Sequence, residues 1–323
     1  MAAHIFVLSE ENYKICITKG VAALPEAKEG SRCDNVFDGL LSRISMIKEN
    51  DYILMYVMGI KELRGVWIAE GEPFYDTTKI FNDKIYPFRS KIKCSNYNFK
   101  NPLYLNDIND LRNNGKIWTW ALQRATGTNA MFSISDGEFD ILLNEYAKIN
   151  PFSSEKNIIP EPYSYHENNL INYIHFDKNS PKYEYSVMTL LNLSFANGQF
   201  KDIFGNYSDF LSYVPTNLGR EMDIVLMYNN PNNSRLISSY DIIEVKRETF
   251  DGNALKQLID YESWFLQKKV SGDLNMVRTT AIAKNYSSEV IEYVNKRTIF
   301  ENKPIKLLIY EYLNGKFVLK EIS

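Results

Sequence analysis

A stretch rich in Pro, Ser and Asn, roughly residues 149–178, divides this chain of 323 residues into two parts. That composition is typical of turns and loops rather than of helices or strands. A chain of this length suffices for two ordinary domains, and 45% hydrophobic residues allow each of them to bury a core. We therefore predict a domain over residues 1–148, a linker over 149–178 and a second domain over 179–323.

The order of hydrophobic patterns predicts an α/β fold, α+β overall. In the first part, β-rich runs alternate with helical patterns. Its predicted strands are 5–9, 52–59, 63–71 and 85–94, and its predicted helices are 35–47 and 136–149. The second part has the order helix, hairpin, helix, strand, helix, strand, which indicates a mixed sheet flanked by helices. Its hairpin strands are 221–228 and 240–247, and the helix that follows covers about 254–269.

Composition narrows the class of protein. The net charge of −3 gives no overall basic signal, so nucleic acid would have to be met by local basic patches. Three Cys without C-x-x-C spacing argue against a disulfide framework or a zinc ribbon, and three His supply a metal site poorly. We see no signal-peptide pattern and no apolar run of the roughly 20 residues that would cross a bilayer, so we expect a cytoplasmic protein without a membrane partner.

Two β-branched, apolar runs, EMDIVLMY and YDIIEVK, carry charges that are costly to bury unless they are paired or metal-bound. Residues two apart share a face of a strand, so Glu221 lies with Asp223 and Glu244 lies with Lys246. If the two strands pair as a hairpin, the acids and the ammonium meet at one end of the sheet. Converging carboxylates suit Mg²⁺, which takes oxygen ligands. The alternative is an exposed edge hairpin whose charges form surface ion pairs.

This arrangement resembles the PD-(D/E)XK nuclease superfamily. Asp223 matches the metal-binding Asp of its second strand, and Glu244-Val245-Lys246 matches its (D/E)XK, although Met222 replaces the Pro of the family motif. The resemblance implies a restriction-endonuclease-like domain that hydrolyses phosphodiester bonds with Mg²⁺ or Mn²⁺.

Further residues extend this resemblance over about residues 180–312. Gln257 and Tyr261 form a Q-x-x-x-Y pair like that of RecB-like members, where the pair lies beside the active site, and Glu184 matches an acid that many members supply from the preceding helix. The run IIEVKRETFDGNALKQLIDYESWF also looks like the archaeal mismatch and single-strand endonucleases. The implied partner is DNA, with phosphate contacts from basic side chains, for which a solvated surface is the alternative: Arg247, Lys256, Lys268 and Lys269.

The first part resembles the PUA-like barrels, in particular the EVE and YTH domains, in the order of its strands. The segments that carry the likeness are YILMYVMGIKELRGVWIAEGEPFYD, IYPFRSKIKC and KIWTWALQRATGTNAMFSISDGEFDILL. It implies a β-barrel with helices and a pocket in which aromatic rings hold a flipped, modified base. The candidate pocket residues are Trp67, Trp118, Trp120 and Tyr56, with burial in the core as the alternative. A basic stripe along the DNA backbone is expected from Arg89, Lys91 and Lys93, although a solvated edge strand explains them equally well.

Together the two resemblances predict a metal-dependent DNA endonuclease, of the modification-dependent (type IV) restriction kind, that acts as a homodimer. Its central site residues are Asp223, Glu244 and Lys246, with Glu184 as a further metal ligand. Gln257, Tyr261 and Glu221 complete the predicted site. Two alternatives remain open: a repair endonuclease for mismatched or branched DNA, and a nucleic-acid-binding protein without catalysis.

Overall fold

The computed structural model describes residues 2–26, 33–97, 99–122, 130–151, 160–313 and 315–322. The chain divides into two compact units, Met1–Ile174 and His175–Ser323. This boundary falls inside the segment 149–178 that the sequence marks as a linker, of which 152–159 lies outside the described residues. The roles assigned to the two predicted domains stay predictions.

The first unit combines one large sheet with helices. Its strands are β1 (Ala3–Leu8), β2 (Val21–Leu24), β3 (Tyr52–Val57), β4 (Glu62–Tyr75), β5 (Phe88–Cys94), β6 (Leu103–Tyr104), β7 (Met131–Ile134) and β8 (Asn168–Asn169). Its helices are α1 (Glu10–Lys19), α2 (Cys33–Ile44), α3 (Leu105–Asn113) and α4 (Asp136–Ile149), with a 3₁₀ turn at Leu170–Tyr173.

The sheet of the first unit has the order β2-β5-β4-β3-β1-β7, with β6 and β8 also pairing with β4. Strands β1 and β3 are parallel, and the other pairs are antiparallel. Within the described residues the two end strands do not pair with each other, so the sheet is open where a closed barrel was predicted.

Helix α4 shows how local sequence builds this unit. The Ser135 hydroxyl accepts a hydrogen bond from the backbone N–H of Glu138, and the Glu138 carboxylate accepts the N–H of Ser135, which forms a capping box. Phe139, Leu142 and Tyr146 lie on one helix face and are buried in the main core cluster. The helix therefore packs in the same core cluster as Tyr56 of β3 and Trp120.

The second unit combines a six-stranded mixed sheet, two separate strand pairs and helices. Its strands are β9 (Phe176–Asp177), β10 (Ser180–Pro181), β11 (Asp209–Pro215), β12 (Glu221–Asn230), β13 (Asn233–Val245), β14 (Thr249–Phe250), β15 (Val277–Ala283), β16 (Asn285–Tyr286), β17 (Ile305–Leu313) and β18 (Lys316–Glu321). The separate pairs are β9 with β10 and β14 with β16. Its helices are α5 (Glu184–Ala196), α6 (Lys201–Phe204), α7 (Gly252–Lys268) and α8 (Ser288–Glu301), with a 3₁₀ turn at Leu274–Met276.

The main sheet of the second unit runs β11-β12-β13-β15-β17-β18. The β12–β13 pair is antiparallel, and β13, β15 and β17 are parallel to one another. This confirms the mixed α/β class. Two edge strands were not predicted: β11, which lies between the first predicted helix and the hairpin, and β18, which follows the last predicted strand.

Helix α7 lies against β13 and β15. Asp251 caps its start by accepting the N–H of Ala254, and its buried face includes Leu258 and Phe265. This packing brings the middle of the helix to the end of the sheet where β12 begins and β13 ends. In the part of the chain that the structure describes, no helix is both long and apolar enough to span a membrane.

Candidate active site

The β12–β13 hairpin brings the predicted acids together. The ladder pairs Ile224 with Ile243 and goes no further, and in that register the next residues, Asp223 and Glu244, are opposite each other on one face of the sheet. Instead of a further backbone pair, the Asp223 carboxylate accepts the backbone N–H of Val245 at 2.8 Å. The end of the hairpin therefore holds two adjacent carboxylates, as the alternation of the sequence predicts.

Lys246 and Glu184 complete this group of charges. The Lys246 Nζ donates to Glu244 Oε1 at 2.7 Å and lies 3.7 Å from Glu184 Oε2. Glu184 is the first residue of α5, so the helix brings a third acid to the strand ends. We call Glu184, Asp223, Glu244 and Lys246 the acidic cluster.

The charges of the acidic cluster do not balance. Burial and the neighbouring Glu244 raise the pKa of Asp223 well above its ordinary value. Burial also raises the pKa of Glu244 to about 7, although Lys246 pulls in the opposite direction. For Lys246, burial alone would lower the pKa, but the surrounding carboxylates outweigh it and the pKa is raised. The ammonium stays charged, and the raised pKa values of the two acids show that this one cation does not compensate their burial.

One oxygen of the cluster has no protein N–H donor. Glu244 is fully buried; its Oε1 accepts from Lys246, and its other side-chain partner is the Asp223 carboxyl, a second acid. Two adjacent acids, one of them fully buried, are unfavourable unless they share a proton or bind a cation. Among the described residues, no three His, Cys, Asp or Glu side chains already form a metal site. The donor set still fits Mg²⁺ or Mn²⁺, because such ions sit on one or two carboxylates and complete their shell with water.

The Gln257–Tyr261 pair of α7 lies against the start of β12. The hydroxyl of the fully buried Tyr261 donates to the carbonyl oxygen of Glu221 at 2.7 Å, and Gln257 Nε2 donates to that hydroxyl at 2.8 Å. The helix thereby holds the strand two residues before Asp223. Glu221 enters this arrangement through its backbone carbonyl.

Two of the four basic residues predicted to bind phosphate in this unit contact other side chains of the protein. Arg247 pairs with Glu248 at 2.9 Å, and Lys269 lies over the Trp264 ring. Lys256 and Lys268 are exposed. Their contacts with DNA stay predictions.

In the first unit, two of the four base-pocket candidates are core residues, and that prediction was wrong for them. Trp120 and Tyr56 are 2% and 4% exposed, in the same cluster as Phe132 and the buried face of α4. The two rings meet edge to face, with centroids 6.3 Å apart. A ring packed from all sides has no free face for a base.

Trp67 and Trp118 are both half-buried. The Trp67 ring folds back over Gly65, whose φ is +118° and where a Cβ would lie 2.3 Å from the ring, so only glycine fits. The backbone N–H groups of Trp118 and Thr119 both donate to Glu138, which fixes the loop against the start of α4. That Glu138 anchors the Trp118 loop was not predicted, although the spacing of Ser135 and Glu138 indicates a capping box.

The predicted basic stripe on β5 is not formed. Arg89 is fully buried, donates to Asp76 Oδ2 at 2.9 Å and is therefore a structural residue, so its prediction as a DNA contact was wrong. Lys91 pairs with Glu167 at 2.6 Å, and only Lys93 of the three is exposed. Alternation along a strand identified a common face but could not reveal the acid that buries Arg89.

No protein-family model matches the chain, and no curated protein is significantly similar to it. Among solved structures, a complex of EndoMS with double-stranded DNA is 17% identical over 38% of this chain and 44% of its own, with a TM-score of 0.26. A repair endonuclease from Pyrococcus abyssi is 17% identical over 42% of this chain and 50% of its own, with a TM-score of 0.28.

A third similar structure is human THYN1 in complex with DNA that contains 5-methylcytosine. It is 11% identical over 45% of this chain and 98% of its own, with a TM-score of 0.32. The matches to the two endonucleases span half of their length or less. All three TM-scores are too low to assign a fold or an activity to this chain.

Proposed function

We propose that the chain is a divalent-metal-dependent DNA endonuclease whose active site is the acidic cluster. The observation that carries this proposal is the meeting of Asp223, Glu244 and Lys246 at the end of the β12–β13 hairpin, where two adjacent acids, one of them fully buried, share one ammonium. A merely structural ion pair would balance its charges, whereas here burial and neighbouring carboxylates raise the pKa of both acids.

Asp223 and Glu244 would hold Mg²⁺ or Mn²⁺, and Glu184 is the nearest further acid. When bound, such an ion polarises a phosphoryl oxygen and lowers the pKa of a water ligand. The remaining residues supply position: the N–H of Val245 fixes the Asp223 carboxylate, and the Gln257–Tyr261 pair fixes the strand that carries it.

Lys246 acts as a cation rather than as a base. Its pKa is raised by the three acids around it, so it keeps its proton at neutral pH. A charged ammonium donates hydrogen bonds and stabilises the negative charge that develops on a phosphoryl group during in-line attack by water. It also holds Glu244 through the 2.7 Å hydrogen bond to Oε1.

Nicking of a supercoiled plasmid in Mg²⁺ or Mn²⁺ tests the proposal. We expect Glu244→Gln and Lys246→Ala each to lose about a hundredfold or more in rate. The matched control is Asp241→Asn, since Asp241 is a buried acid on the same strand but three residues away, on the opposite face. Asp241→Asn should nick like the wild type. If the wild type cuts no DNA in either ion, the protein is instead a nucleic-acid-binding protein without catalysis.

The finer part of the proposal is that the first unit reads a modified base, as in type IV restriction. Its support is that Trp118 and Trp67 are half-buried on anchored backbone rather than packed in the core. Stacking on such a ring is worth about 1–3 kcal/mol per base. We expect Trp118→Ala to weaken binding to a methylated duplex, Trp118→Phe to retain most of it, and cleavage to require methylation.

Equal cleavage of methylated and unmethylated duplexes would contradict base reading, and preferred cleavage of a mismatched or branched duplex would indicate a repair endonuclease. One acidic cluster cuts one strand, so we propose that two copies act together on duplex DNA. Sedimentation of the protein with and without a target duplex measures this state.

A further inference from the structure

A residue in an unusual backbone conformation lies across from Asp223. Tyr213 in β11 has a φ of +58°, in the left-handed region that bulky side chains rarely adopt. The ladder between β11 and β12 keeps one register on both sides of it, which sets Tyr213 opposite Asp223, yet these two residues do not pair. The flanking pairs are Ser212 with Ile224 and Val214 with Met222.

On the other side of β12, the ladder with β13 ends at Ile224, next to Asp223. Ile224 pairs with Ile243, and at Asp223 the side chain replaces the backbone by accepting the N–H of Val245. Asp223 therefore has no ladder partner in β11 or β13. Its backbone is held by the flanking pairs of Met222 and Ile224 with β11, and its carboxylate by the N–H of Val245.

The side chain of Tyr213 connects this point to the third acid. Tyr213 is 6% exposed, and its ring lies against Tyr185 with centroids 6.0 Å apart. Tyr185 follows Glu184 in the first turn of α5. Tyr213 therefore lies opposite Asp223 in the sheet and also contacts the start of the helix that carries Glu184.

We propose that Tyr213 is a positioning residue for the acidic cluster. Its left-handed backbone keeps Asp223 out of the ladder and available to a cation, and its ring fixes the start of α5 so that Glu184 faces Lys246. A strained conformation persists only where its surroundings enforce it, and such residues concentrate at functional sites. The inference rests on the proposed function, because it assumes that the cluster holds a divalent cation.

Substitutions at residue 213 separate the backbone from the ring. Tyr213→Val removes the ring and disfavours a positive φ, because a β-branched residue resists that region. Tyr213→Gly permits the backbone and removes the ring, and Tyr213→Phe keeps both. Tyr185→Ala removes the ring contact from the other side.

Mn²⁺ binding without DNA is the direct readout, measured as loss of the free Mn²⁺ electron paramagnetic resonance signal well below the melting temperature. We expect Tyr213→Phe to bind like the wild type and Tyr213→Val to bind about 10–100-fold more weakly, as when supporting groups of a metal site are removed. Tyr213→Gly and Tyr185→Ala should weaken binding less. The Mn²⁺ concentration that gives half-maximal nicking should shift in the same order.

The matched control is Phe210→Val. Phe210 is a buried aromatic residue of the same strand, and it pairs regularly with Leu226. It should lose stability, as Tyr213→Val does, without a change in Mn²⁺ affinity.

Wild-type Mn²⁺ affinity in Tyr213→Val overturns the positioning role and leaves the nuclease proposal intact. If Tyr213→Val does not fold, unchanged affinity in both Tyr213→Gly and Tyr185→Ala has the same meaning. A wild type that neither binds Mn²⁺ nor nicks DNA removes the proposed function itself, and the positioning role with it.

Discussion

Two of the places where the chain buries charge differ in whether the charges are satisfied. In the first unit, Asp76 accepts hydrogen bonds from Arg89, from the Tyr163 hydroxyl and from the backbone N–H of Thr78. Burial alone would raise the pKa of Asp76, but these partners outweigh it and the pKa is lowered. In the acidic cluster of the second unit, the pKa values of Asp223 and Glu244 are raised.

The direction of the pKa shift therefore distinguishes the satisfied Asp76 group from the acidic cluster. Partners that over-compensate a buried carboxylate stabilise the fold, whereas an under-compensated pair lowers stability and leaves charge for a ligand to neutralise. The changes below test this contrast, beginning with the one of largest expected effect.

Replacing Arg89 with Met leaves Asp76 as a buried, partly uncompensated charge. We expect the free energy of unfolding of the first unit to fall by about 3–5 kcal/mol. Urea unfolding followed by tryptophan fluorescence measures it, since three of the chain's four tryptophans lie in this unit. The corresponding change in the second unit, Lys246→Met, should have a smaller effect, because Glu244 can take up a proton near pH 7.

Lys91→Met is the matched control for Arg89→Met, since it makes a similar change two residues along the same strand. The ion pair of Lys91 with Glu167 is partly exposed and is expected to contribute less than about 1 kcal/mol. Equal losses in the two variants would show that Arg89 does not act through buried charge.

The pH dependence of stability should differ between the two units in metal-free buffer. The pKa of Glu244 is about 7 in the folded protein against an ordinary 4.5, so the folded state binds the proton more tightly. The second unit should gain up to about 3 kcal/mol as the pH falls from above 7 to about 4.5. The lowered pKa of Asp76 acts oppositely: its contribution to the first unit is present above pH 3.8 and is lost as the pH falls below it.

Urea unfolding at several pH values, monitored by hydrogen exchange in β12 and β13, measures how the unfolding free energy of the second unit changes with pH. Asp241, whose pKa burial raises to about 6, adds a slope of the same sign, so Asp241→Asn isolates the part that belongs to the acidic cluster. A second unit whose stability rises with pH between 5 and 7 in the Asp241→Asn variant would contradict the under-compensated cluster.

The sequence predicted the acidic cluster better than it predicted the first unit. The period-two alternation of the β12–β13 hairpin brings Asp223 beside Glu244 through local pairing, and the i, i+4 spacing of Gln257 and Tyr261 places both on one face of α7. Such relations depend on neighbours along the chain or on a single turn, so they are readable in the sequence.

The misassigned residues depend on long-range partners. Arg89 alternates with two lysines, and only the folded chain shows that it is enclosed with Asp76. Trp118 and Trp120 flank one Thr, yet one ring is half-buried and the other is in the core. The left-handed backbone of Tyr213 has no signal in a sequence, because tyrosine is typical of ordinary strands.

Added Mn²⁺ should stabilise the second unit and leave the first unchanged. At a concentration of one hundred times the dissociation constant, we expect about 2.7 kcal/mol at pH 8, with loss of the metal-free pH slope. Asp223→Asn should abolish the gain, and the first unit of the same molecule is an internal control. Equal stabilisation of both units would indicate unspecific binding of the ion.

The smallest expected effect concerns one hydroxyl in the satisfied group. Tyr163→Phe removes a hydrogen bond of 2.9 Å to the charged Asp76 and the acceptor of an Arg89 N–H, whereas Tyr165→Phe removes one hydrogen bond of 2.9 Å to the neutral carbonyl of Lys19. A hydrogen bond to a charged group contributes about 1.5–3 kcal/mol to the free energy of unfolding, and one between neutral groups about 1 kcal/mol. Tyr163→Phe should therefore lower the unfolding free energy of the first unit by about 1 kcal/mol more than Tyr165→Phe. Equal losses would mean that Arg89 and Thr78 already compensate Asp76 without the Tyr163 hydroxyl.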